Sequence, residues 1–63
     1  MGISTAEIQT FLKGMDYPAS KDDLIQQAKD NGAGNDVISL LNKLPEQEYR
    51  IPTDVNEQIG KIE

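Results

Sequence analysis

The most apolar run of the chain is the decamer Asn35 to Leu44. Wound as an α-helix at about 100° per residue, Val37, Ile38, Leu40, Leu41 and Leu44 spread over roughly 160° of its circumference. Asp36, Ser39, Asn42 and Lys43 fill the other side. A helix lying on a surface needs an apolar stripe only a little over about 100° wide. The wider stripe predicts a central helix gripped by neighbours on two sides. Asn35 is its expected cap, and Pro45 disfavours helical geometry at Leu44 and so ends it.

Three more helices follow from the same pattern. Ser4 and Glu7 have the spacing of a capping box, and Ile3 and Ile8 that of a hydrophobic staple. Ile8, Phe11, Leu12 and Met15 form the stripe of this first helix, which Lys13-Gly14 ends. Met15 to Ala19 is an extended connection, because Pro18 pushes Tyr17 out of the helical region. Ser20 then caps a second helix with Asp23 at the third helical position, and Leu24, Ile25 and Ala28 face its core. Asn31-Gly32 stops it. Asn-Gly also suits a hairpin turn, but neither flank alternates as strands do, so the hairpin reading loses. Gly32 to Gly34 makes a tight corner into the central helix. Pro45 to Tyr49 is expected to form one separate helical turn. Arg50 to Pro52 is extended, and Thr53 caps a final helix with Val55, Ile59 and Ile62 inward. Gly60 weakens that helix by about 1 kcal/mol relative to Ala. The predicted fold is therefore all-α: a small four-helix orthogonal bundle with a short extra helical turn after Pro45. It is one domain over residues 1–63, frayed at 1–3 and 61–63.

Size and charge narrow what such a bundle does. A 63-residue chain is near the lower limit for folding alone and hides only ~60% of its unfolded surface. There is no Cys and no His, which removes disulfides, thiolate and imidazole metal ligands, and Ser-His or Cys-His catalytic pairs. Met1 to Thr5 offers neither a basic region nor a long apolar run, so no signal peptide or membrane span is expected, and the location expected is cytoplasmic. The net charge of −5 works against binding a polyanion. Most charges have a structural explanation. Glu7, Asp22, Asp23, Asp36 and Asp54 fall in predicted first turns, and Lys13, Lys29, Lys43 and Lys61 in predicted last turns, as the helix macrodipole favours.

Two linkers echo one another: Tyr17 to Ser20, and Tyr49 to Thr53, each run from Tyr through Pro to a cap residue. They are expected to lie side by side, joined by a few backbone bonds short of a sheet, with Tyr17 and Tyr49 closing opposite ends of the core. The stretches Leu12 to Lys21 and Leu44 to Tyr49, followed by Asp54-Val55, resemble the small bacterial domain family of unknown function numbered 2795. The resemblance runs from Ile8 to about Gly60. Its Tyr17-Pro18-Ala19-Ser20 and Leu44-Pro45…Tyr49 pieces are fairly specific together and weak apart. It implies a compact helical domain of bacterial or archaeal origin and carries no activity.

The sequence bears on three classes of function. Protein docking rests on Tyr49, Arg50 and Ile51, which stand outside regular helix, Tyr and Arg being over-represented at interface hot spots. The bland alternative has Tyr49 and Ile51 plugging the core and Arg50 pairing with Asp16. The partner would be another protein, or a second copy, since a marginal core gains from a dimer interface. Helix-turn-helix nucleic-acid binding is the alternative. Ala28, Gly32, Ile38 and Leu41 suit such a motif, and the third helix would offer Ser39, Asn42 and Lys43. Asp36 at the end that should approach phosphate, and Lys43 as that helix's only cation, weigh against it. Catalysis is not expected. The pairs Asp22-Asp23 and Glu46/Glu48 belong to wet surfaces, whereas acid–base work needs a buried carboxyl. Gly32 to Gly34 lacks the strand and Lys of a phosphate loop. Asp30, Asn31, Asn35 and Asp36 lack the spacing of a calcium loop. No cofactor and no metal are expected.

Overall fold

The computed structural model describes residues 3–62. Met1, Gly2 and Glu63, half of the residues expected to fray, lie outside the described residues. Four helices follow in order: α1 (Thr5–Phe11), α2 (Lys21–Asp30), α3 (Asn35–Asn42) and α4 (Pro52–Ile62). Among the described residues the only β-type pairing is one isolated antiparallel bridge, Ala19 to Tyr49. The fold is all-α with four helices.

Local chemistry accounts for each boundary. Ser4 is extended at φ −72°, and its Oγ accepts from the Glu7 N–H at 3.2 Å, one of the two bonds of the expected box. Past the end of α1, Gly14 sits at φ +85°, a left-handed geometry that side chains with a Cβ resist. At α2 the box is complete. The Asp23 N–H donates to Ser20 Oγ and the Ser20 N–H to Asp23 Oδ2, both at 3.1 Å. Two bonds of a Schellman motif close its far end, Ala33 N–H to Ala28 C=O at 2.9 Å and Gly32 N–H to Lys29 C=O at 3.0 Å, with Gly32 at φ +84°.

That closure moves the start of α3. Ala33 is spent on α2, so one residue remains between the helices. Gly34 takes the extended cap position and Asn35 is already helical, not the cap. Lys43, expected inside the last turn, is the C-cap of α3, and Lys13 lies beyond Leu12, the C-cap of α1. Lys29 and Lys61 do occupy last turns. The last helix likewise begins at Pro52 rather than after a Thr53 cap, because the fixed φ of Pro suits a first helical position. Asp54 takes the anchoring role: its Oδ2 accepts the Arg50 N–H at 3.0 Å.

The extra turn after Pro45 is not formed; residues 45–48 are bends and irregular chain. A helical turn there needs the Tyr49 N–H to reach the Pro45 carbonyl. Instead that N–H donates to Ala19 O at 2.8 Å, and the Pro45 carbonyl accepts from the Tyr49 phenol at 2.7 Å.

The core joins Ile8 and Leu12, Leu24 and Ala28, Val37, Leu40, Leu41 and Leu44, then Tyr49, Val55 and Ile59. Phe11, Met15, Ile25 and Ile62 pack against it half-buried. So does Ile38, expected to be buried outright, which lies at the edge of the wide stripe. The main helix contacts run α3 to α2, α2 to α1 and α1 to α4, with α2–α3 the most extensive. The helix of the apolar decamer thus stands at one end of the series of main contacts rather than in its middle, held against α2 by the short Gly32–Gly34 corner.

Replacing Leu41, which is 0% exposed, by Ala should cost about 2–5 kcal/mol and can unfold so small a domain; chemical denaturation reads it. Ser20→Ala removes the hydroxyl half of the box and should lower stability by about 0.5–2 kcal/mol in the same assay.

Candidate functional site

The two linkers meet across the bridge. Ala19 and Tyr49 exchange reciprocal N–H to C=O bonds, both 2.8 Å, beside a cis Tyr17–Pro18 peptide. Tyr49 is wholly buried, and its phenol is used on Pro45. Tyr17 is half-buried, and its Oη is shielded from solvent without a hydrogen-bond partner among the described residues. Burial pushes both phenols above their ordinary range, with the negative charge of Glu46 adding to the effect at Tyr49.

Beside the bridge the linkers enclose an open cleft of about 460 Å³, lined by Pro18, Ala19, Ser20 and Asp23 on one side and Glu46, Gln47 and Glu48 on the other. Lys21 Nζ stands 3.8 Å from Glu46 Oε1. Arg50 Nε stands 3.5 Å from Glu48 Oε1 and not on Asp16, the partner the bland alternative gave it. Glu48 and Arg50 flank the bridge residue Tyr49, two positions apart and so on one side of extended chain. The Arg50–Glu48 pair is exposed at both ends and such pairs contribute at most about 1 kcal/mol, whereas the Lys21 side chain is largely covered.

Of the three residues singled out for docking, Tyr49 is core. The Arg50 side chain is 80% exposed, and Ile51, at 53%, is the one exposed large hydrophobic residue among those described. Ser39 and Asn42 lie on the exposed side of α3 and Lys43, its C-cap, is exposed as well, with Asp36 in the first turn. Of the calcium-like group, Asp30 accepts from Gln26 at 3.0 Å. Asn31 is turned away, donating to the carbonyls of Phe11 at 2.7 Å and Lys13 at 3.0 Å.

That last contact was missed in the sequence, as was Gln27, whose amide donates to the same Lys13 carbonyl at 2.8 Å. Together the two amides satisfy carbonyls left open at the end of α1. The available signal was their spacing of four, which places both on one face of α2. Gln9 does a similar service between α1 and α4, donating to Asn56 Oδ1 at 2.9 Å and Pro52 O at 3.3 Å.

A family model described as Protein of unknown function (DUF2795) matches residues 3–56. The chain belongs to that family. The match takes in both linkers, the bridge and the cleft of this DUF2795 domain, and stops within α4. No curated protein and no solved structure matches the chain. No helix among the described residues of the DUF2795 domain is long and apolar enough to cross a membrane.

The raised phenol pKa values give a pH dependence of definite sign. Both phenols hold their proton more firmly folded than unfolded, so their contribution is complete below about pH 10 and is lost as pH climbs beyond it. Thermal stability of the DUF2795 domain should fall as pH is raised above about 10, in step with phenolate absorbance. Ionisation of both tyrosines at their free-solution pKa in the folded state would refute this.

Proposed function

We propose that this chain is a non-catalytic protein-docking domain whose contact face is the non-helical segment 45–51 together with the facing linker. The observation that supports this reading is a pinned loop with an exposed outer side. Tyr49 is locked inward by its ring, its phenol and both backbone bonds. The next two residues, Arg50 and Ile51, are thereby held outward. Loops fixed by a rigid scaffold are where binding residues concentrate, and Arg is a preferred anchor at interfaces. The cleft carboxylates argue against an enzyme. Asp23, Glu46 and Glu48 are all exposed, with Asp23 in the cap and the glutamates in ion pairs, whereas a general acid draws its raised pKa from burial. A second copy of the chain is a variant of the same reading, and a cytoplasmic setting is part of it.

The close α2–α3 packing favours one alternative, a helix-turn-helix-like nucleic-acid-binding protein presenting Ser39, Asn42 and Lys43. Charge opposes it, since the net charge is −5 and non-specific affinity for DNA needs several cations.

Affinity capture from the native cytoplasm with the parent chain and with Arg50→Glu tests the docking reading. A partner held by the parent and lost by the variant is expected, with sedimentation reporting any dimer. Equal capture by both would reject the assignment of this face. Tight binding to random duplex at low salt that collapses at moderate salt would put the nucleic-acid reading first.

A further inference from the structure

We propose that the cleft between the linkers receives an extended, lysine- or arginine-bearing segment of a partner protein; this rests on the docking reading and names the chemistry of the partner. The shape comes first. About 460 Å³ of open concavity with Pro18 and Ala19 in its lining is of the size that takes small ligands or a few side chains. Its main chain is the second observation. Tyr49 spends both backbone groups on Ala19, while the adjoining Glu46, Gln47 and Glu48 make no backbone-to-backbone hydrogen bond among the described residues. The backbone groups of this bent stretch are left open to hydrogen bonds from an incoming segment. Charge then selects the segment. Three carboxylates and no Lys or Arg line the cleft, and its flanking ion pairs are long, at 3.8 and 3.5 Å. Such a lining repels a polyanion and attracts a cationic chain.

The test titrates the full chain, by amide NMR, with a synthetic peptide of about eight residues alternating Lys and Ala, long enough when extended to cross the face. A matched Gln/Ala peptide is the control. Amides of Ala19, Ser20, Gln47 and Glu48 should move with the first peptide and not the second. Binding should weaken by about fivefold or more in the Glu46→Gln/Glu48→Gln variant and again as salt is raised. Both glutamates are exposed and outside the core, so the variant should still melt cooperatively as a folded domain. Absence of shifts, equal affinity in the variant, or occupation of the same amides by a second copy would overturn the proposal. If the peptide fails while the capture sensitive to Arg50→Glu persists, the cleft proposal alone falls. If capture ignores Arg50→Glu while the peptide binds through Glu46 and Glu48, the cleft stands and the Arg50–Ile51 rim falls.

Discussion

The constraint on which the rest of the molecule depends is the reciprocal hydrogen-bonded pair between Ala19 and Tyr49. It ties the linker that follows α1 to the linker that precedes α4, residues thirty apart in the chain. Because Tyr49 spends its N–H sideways, residues 45–48 cannot close a helical turn. Because its ring is buried and its phenol sits on the Pro45 carbonyl, the loop is folded against the core instead of hanging from it. The cleft, the outward pose of Arg50 and Ile51, and the start of α4 at Pro52 all follow from that geometry.

Around this tie the domain is held by side chains that finish what its short helices leave open. Helices of 7, 10, 8 and 11 residues are all below the length at which isolated helices persist in water, about 12–15 residues. Their stability comes from burial and from termini that are satisfied. Ser4, Ser20 and Asp23 serve the beginnings. Gln27, Asn31 and the Schellman closure at Gly32 serve the ends. In a chain this small, with overall extents of 29 × 24 × 18 Å, such caps are a large share of what separates folded from unfolded.

The features that could be read from the sequence are those fixed within a few residues. The box at Ser20 and Asp23, the left-handed glycines 14 and 32, and the inward faces at Leu24, Leu41, Val55 and Ile59 depend on spacing alone. The side-by-side running of the two linkers joins residues thirty apart, and its signal is the Tyr-to-Pro echo rather than local spacing. What escaped depends on partners far off in the chain. Pro45 with Glu46 is a good local start for a helix, and only Ala19 overrides it. The cap expected at Asn35 falls one residue late and that at Thr53 two, because Gly34 is already the extended cap residue and Pro52 the first helical one. Arg50 and Ile51 could be placed outside helix, but the cleft beside them exists only once two distant stretches meet, and no spacing announces it.

The side-chain capping of α1 has a consequence for the order in which the chain takes shape. Synthesis delivers α1 first, yet the carbonyls of Phe11 and Lys13 wait for Gln27 and Asn31, and Gln9 waits for Pro52 and Asn56. Of the four helices the one made first is therefore finished only by residues made later, and its termini close once α2 and the start of α4 have joined it.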